Sequence, residues 1–281
     1  MMGNANQGDH FEGGQSFMRL QEELQLLKNY ENSENYVLTI YLNTDPADPE
    51  QRNDAWKIHL KNGMKELEET IPSSTSEREL HLFKKLEKKV LKEIEANQTN
   101  LNKGIIIFAS TDPELWSVHY VQVRIKTDFY WGEKPKLEQL YYINKAYPHA
   151  GVILPAFNEV RIIDTAMGVV NDELIYEFDA GSEEWKRKKG IAYGSVRASS
   201  ATHVDAFDDR LRENLFRFYK QMGVTIGRLA KDRQWKEIHV SGEAELANTM
   251  AKALPKEPVS KLYKNLKNNK SNQVLHEVFE K

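Results

Sequence analysis

Apolar and polar positions alternate along this chain in two periods, and the changes between them predict its elements. Tyr36-Val37-Leu38-Thr39-Ile40-Tyr41-Leu42 is β-branched and aromatic and is closed by Asn43-Thr44-Asp45-Pro46, which predicts a buried strand ending in a proline turn. Trp56, Leu60, Met64 and Leu67 predict a helix over 51–70. Leu80, Phe83, Leu86, Val90 and Ile94 predict another over 76–96, separated from the first by the breaker Pro72-Ser73-Ser74-Thr75. Gly104 to Phe108 and Trp116 to Val123 read as strands around a turn at Asp112-Pro113, and 135–145 as a connecting helix ended by Pro148. Ahead of these, Leu20, Leu24 and Leu27 give a short amphipathic helix over 18–30.

The β-rich pattern then starts afresh. Gly151-Val152-Ile153-Leu154 and Val160-Arg161-Ile162-Ile163 flank the turn Phe157-Asn158-Glu159 as a hairpin, and a third strand runs from Gly168 to Tyr176. After a long loop, Phe207, Leu211, Leu215, Phe218, Met222, Ile226 and Leu229 recur every three or four residues, which predicts a long helix over 205–231. Gly223 and Gly227, one turn apart on it, read as close-packing sites. A strand at 237–242, a helix at 244–254 and a helical tail at 259–281 follow. The expected organisation is a polar leader (1–17), an α+β domain (18–146), a second domain (147–256) and a helical remainder (257–281) that begins a third domain the chain lacks. The fold class is α/β.

Composition narrows the chemistry. The 281 residues carry 39 basic and 42 acidic side chains, net −3, so attraction to a polyanion has to come from a local patch. There is no cysteine, which removes disulfides and thiolate chemistry. No apolar run approaches the ~20 residues of a membrane span, and no signal-peptide pattern is present, so the cytoplasm is the default location. No phosphate-binding glycine loop, nucleophile elbow or closely spaced histidine pair occurs, and no metal or cofactor is expected. Glu159 with Asp164 as metal carboxylates lacks a third ligand, and His203 as a base stands alone. Lys84, Lys85, Lys88, Lys89 and Lys92 read as a solvated helix face interleaved with glutamates, with a weak RNA-phosphate contact as the alternative.

The positive finding is the loop from Trp185 to His203. Lys186, Arg187, Lys188, Lys189 and Arg197 concentrate charge there, Trp185 and Tyr193 offer faces for base stacking, and Gly190 and Gly194 let a ligand approach the backbone. These residues are the candidate RNA-binding set.

The order of these elements, from Gly151-Val152-Ile153-Leu154 through the basic loop and long helix to Ile238-His239-Val240-Ser241-Gly242, resembles the middle domain of the archaeo-eukaryotic class-one peptide-chain release factors. The likeness is to their bacterial relatives in particular, with Tyr41-Leu42-Asn43-Thr44-Asp45-Pro46 and Trp56 resembling the first domain of those proteins. The resemblance implies a ribonuclease-H-like mixed sheet, a ribosomal partner with tRNA or rRNA contact through the loop, and a partner-recruiting third domain that has no room here. It also implies a Gly-Gly-Gln in the loop that positions water against the peptidyl-tRNA ester. This loop has neither adjacent glycines nor a glutamine, so no catalytic residue is assigned and hydrolysis stays open. Gly13-Gly14-Gln15 lies in the leader, away from any scaffold. Three readings follow: a factor acting on terminating or stalled complexes, a non-catalytic rescue factor similar to the Pelota type, and a binding module outside the ribosome.

Overall fold

The computed structural model describes residues 24–30, 36–71, 77–111, 115–179, 182–188 and 201–280, with backbone alone for 201–213. The leader with Gly13-Gly14-Gln15, the start of the 18–30 helix, the breaker at 72–75, the Asp112-Pro113 turn and the His203 side chain lie outside that description, as do Lys189, Gly190, Tyr193, Gly194 and Arg197. The chain divides into two compact units between Lys145 and Ala146.

In the first unit, β1 (Val37–Asn43) lies inside a four-stranded antiparallel sheet with β2 (Gly104–Ser110), β3 (Trp116–Val121) and β4 (Asp128–Gly132), in the order β3-β2-β1-β4. Every residue of β1 and β2 is buried because both faces of the sheet are covered. Leu38, Ile40, Leu42, Ile105 and Ile107 meet α1 (Trp56–Thr70) and α2 (Glu77–Ala96) through Trp56, Leu60, Met64, Phe83, Leu86, Val90 and Ile94. On the other face the Tyr41 hydroxyl donates to the Lys136 carbonyl (2.7 Å) and accepts from the Leu140 amide (3.3 Å), which ties in α3 (Glu138–Ala146). Strand β4 is absent from the sequence reading. Its five residues are half-buried or exposed, so no apolar alternation marks it.

The second unit holds a six-stranded mixed sheet in the order β10-β9-β5-β6-β7-β8. Strands β5 (Ala150–Pro155), β6 (Glu159–Ala166), β7 (Val169–Asp179) and β8 (Glu184–Arg187) run antiparallel in succession. The chain then passes through α4 (Ala201–Asp232) to β9 (Glu237–Ser241), parallel to β5, and through α5 (Ala244–Ala253) to β10 (Ser260–Leu262), parallel to β9. This is the ribonuclease-H-like mixed sheet with a long helix that the resemblance implies.

Ile153, Val160, Ile162 and Leu174 pack under α4 and α5 against Leu215, Tyr219, Met222, Ile226, Leu246 and Met250. From Leu215 onward the stripe predicted for the long helix therefore reaches the core, the side chains of Phe207 and Leu211 lie outside the described residues, and the helix begins at Ala201 rather than at 205. A Cβ on Gly223 would fall on the carbonyl of Ala253, and one on Gly227 would meet the Pro255 ring at 2.7 Å, so both glycines are close-packing sites.

The tail differs from the helical remainder expected over 257–281. It supplies the edge strand β10 and the helix α6 (Ser271–Phe279), whose Val274, Leu275 and Val278 cover Val152, Leu154 and Ile163 on the second face of the sheet. The apolar runs of β5 and β6 would be half-exposed without that cover, so residues 260–279 complete this unit's core rather than open another.

Candidate nucleic-acid interface

The basic loop begins inside the sheet. Residues 184–187, expected to be loop, form β8, which pairs with β7 in the register Tyr176↔Arg187, Glu177↔Lys186, Phe178↔Trp185 and Asp179↔Glu184. The Lys188 amide continues the ladder to the Ile175 carbonyl at 2.9 Å. The hairpin turns at Glu183 with a left-handed φ of 52°. Alternation along β8 sends Trp185 towards α4 and Lys186 to the opposite face.

Trp185 is the anchor of this hairpin rather than an open stacking platform. Its indole nitrogen donates to the Phe218 carbonyl (2.9 Å), and its ring lies 5.3 Å from Phe178 and 6.1 Å from Tyr219. Phe178 in turn sits 4.3 Å from Phe218. An edge strand of four residues is weak by itself, and this aromatic clamp fixes it to the long helix.

The cations of β8 are exposed and already have partners. Lys186 pairs with Asp179, and Lys188 Nζ lies 3.2 Å from Glu159 and 3.4 Å from Glu177. Burial is the largest single influence on Lys188 and disfavours its charge, but Glu159 and Glu177 together outweigh it and raise its pKa. Arg217 of α4 pairs with Glu183 beside the turn at 2.9 Å. Exposed pairs of this kind are weak, so a phosphate can replace the carboxylates at little cost. Lysines here also block edge-to-edge strand pairing.

Of the predicted RNA-binding residues, Lys186, Arg187 and Lys188 thus stand together on a clamped edge strand. Lys189, Gly190, Tyr193, Gly194 and Arg197 belong to the segment 189–200, between β8 and the first turn of α4. Among the described residues no group of acidic or histidine side chains is arranged to hold a metal, and no helix is long and apolar enough to cross a membrane. Glu159 and Asp164 have separate tasks: Glu159 pairs with Lys188 and Lys267, whereas Asp164 is buried among His149, Arg233 and Trp235.

Two buried charge clusters escaped the reading by periodicity. Asp164 accepts from His149 Nε2 (2.7 Å), Trp235 Nε1 (2.9 Å) and Arg233 (2.9 Å), and Arg233 also reaches Asp172 (2.5 Å). Arg161 donates to Glu173 (2.7 Å), to the carbonyls of Lys267 (2.8 Å) and Asn269 (2.7 Å), and to the Ser271 hydroxyl (2.8 Å). The available signal was a charge inside an apolar run, since such residues are seldom fully buried unless paired. Both clusters hold the scaffold that presents β8 and α4.

The second unit corresponds to a known family. The model of bacterial archaeo-eukaryotic release factor family 5 matches residues 148–280. The uncharacterized protein YocB of Bacillus subtilis (strain 168) is 30% identical over 239 residues, covering 85% of this chain and 90% of its own. Among solved structures, the archaeal translation termination factor aRF1 aligns at 12% identity and a TM-score of 0.30, over 94% of this chain and 73% of that one. A structure described as an archaeal protein aligns at 14% identity and a TM-score of 0.31, over 90% and 67%. At these TM-scores the fold rests on the strand order and not on superposition. The chain belongs to the bacterial archaeo-eukaryotic release factor family 5.

Proposed function

We propose that this release-factor-like protein acts in the cytoplasm on stalled or terminating translation complexes, and that the segment from Lys186 to Arg197 contacts tRNA or ribosomal RNA. The observation that carries the reading is the clamp. Trp185 fixes β8 to α4, so Lys186, Arg187 and Lys188 stand on a firm edge directly ahead in sequence of the other cations and the glycines. Lys186, Arg187, Lys188, Lys189 and Arg197 would neutralise phosphates, Tyr193 would stack on a base, and Gly190 and Gly194 would admit the RNA backbone.

The proposal is one of binding. The segment 189–200 holds no glutamine, so the water-positioning group that the resemblance implies is missing there. The carboxylate partners of Lys186 and Lys188 favour a second reading, in which β8 is chiefly a protected edge and the protein binds RNA or protein away from the ribosome.

Sedimentation of the full chain with ribosomes at low salt separates the two. Wild type is expected to travel with the ribosomes, and the variant Lys186→Ala/Arg187→Ala/Lys188→Ala/Lys189→Ala to lose at least about tenfold in affinity at low salt, with a difference that narrows as salt rises. Wild type remaining at the top of the gradient would remove the ribosomal reading.

A further inference from the structure

Helix α2 of the first unit carries a row of cations for which the reading above has no use. Arg78, His81, Lys85, Lys88 and Lys92 follow one another at intervals of three and four, which keeps them on one face of the helix over about 21 Å. All five are exposed, and Lys89 stands beside the row with its Nζ 3.7 Å from the Trp116 ring centre. The opposite face, Phe83, Leu86, Val90 and Ile94, is in the core.

A solvated helix surface usually interleaves its lysines with glutamates, and this helix has glutamates to spare. Three of its five are turned to other tasks, and Glu77 and Glu95 stand exposed at its two ends. Glu79 accepts from the Trp131 indole, Glu87 pairs with Lys84, and Glu93 accepts from Asn97. Among the described residues no carboxylate lies within ion-pair distance of Lys85, Lys88 or Lys92. Lys85 and Lys88, Lys85 and Lys89, Lys88 and Lys92, and Lys89 and Lys92 are instead like-charge neighbours three or four residues apart, an arrangement that weakens a helix. Lys85, Lys88 and Lys92, set among like charges in a chain of net charge −3, are suited to an anionic partner.

We propose that the Lys85, Lys88 and Lys92 row is a docking surface for the sugar-phosphate backbone of RNA. Neighbouring cations about 5–6 Å apart along a line suit the regular charge of a nucleic-acid strand. The row has no large apolar side chain to serve as the anchor of a protein interface, and apart from Leu80 the large apolar side chains of the helix are turned away from solvent, so it has no broad apolar face for a lipid surface. Only the choice of RNA over another polyanion rests on the translational reading. The surface itself is independent of β8.

The test measures binding of the full chain to a labelled A-form RNA duplex between 50 and 200 mM salt. The proteins compared are wild type, Lys85→Ala/Lys88→Ala/Lys92→Ala, the corresponding triple arginine variant, and the alanine triple combined with the four-residue β8 variant. The alanine triple is expected to weaken binding about tenfold or more at the low-salt end and to flatten the slope of log affinity against log salt by about 2–3. The arginine triple should bind as wild type does, and thermal unfolding of the alanine triple should be unchanged or slightly later. The same loss should appear on top of the β8 variant, so failure of the ribosomal reading leaves this result standing. Wild-type affinity and slope in the alanine triple would overturn the proposal. So would a loss confined to polyglutamate or to phosphatidylserine vesicles with RNA binding intact.

Discussion

Replacing Asp164 by alanine is expected to destabilise the second unit by about 3–5 kcal/mol, because it strands three partners from two connecting segments at once. His149 precedes β5, and Arg233 and Trp235 lie in the connection from α4 to β9. The Trp235 ring packs so closely on Gly151 that a Cβ there would collide with it, and the Lys236 amide donates to the His149 carbonyl at 2.9 Å. Asp164 therefore fixes how the long helix hands the chain back to the parallel pair β5 and β9. For m near 2 kcal/mol/M, the urea midpoint should fall by roughly 2 M; a fall of less than ~0.5 M would show the cluster to be dispensable. The milder Asp164→Asn keeps an acceptor and is the variant to use if alanine leaves too little folded protein.

The same carboxyl gives a pH dependence of definite sign. Burial pushes its pKa up, but His149, Trp235 and Arg233 outweigh burial and hold it below the ordinary aspartate value. A depressed folded-state pKa contributes stability that is fully present above the unfolded value of ~3.9 and is lost as pH falls through the folded value. Wild type should thus lose stability in acid below about pH 4 through this group. Asp164→Asn should lack that part of the acid loss.

Arg161→Met is expected to cost about 3–5 kcal/mol by a different route. The guanidinium is buried on β6, and its fork holds Glu173 together with the 267–271 segment that leads into α6. Glu173 also accepts from Ser271 at 2.5 Å, so removal of the cation leaves a carboxylate and two carbonyls without their donor. Lysine cannot replace a planar fork that serves four acceptors. Hydrogen exchange should show α6 losing most of its protection while α1 and α2 of the first unit keep theirs. Equal loss in both units, or none in α6, would contradict the assignment of Arg161 as the tie for the tail.

The parts of this fold that were legible in the sequence are those where one face of an element meets the core. The long helix announced itself through Leu215, Phe218, Met222 and Ile226, and β5 and β6 through runs that helices cover on both faces. The hidden parts have reasons of their own. In β8 a single half-buried residue, Trp185, sits among exposed charges, so composition suggested a loop although pairing with β7 and the clamp on Phe218 make a strand. The tail was read as one helix because β10 has only three residues, none of them fully buried. Arg161 and Asp164 were visible as charges inside apolar runs, but their partners lie 12–110 residues away in sequence.

Photocrosslinking from the segment that β8 presents tests the functional account most directly. A photoreactive residue at Tyr193, with a control at the exposed Tyr142 of the first unit, would be carried on the full chain into stalled ribosome complexes. The account predicts crosslinks from position 193 to ribosomal RNA or tRNA well above those from the control, suppressed when Lys186, Arg187, Lys188 and Lys189 are alanine. Crosslinks from 193 to protein alone, or no more RNA than the control captures, would contradict it.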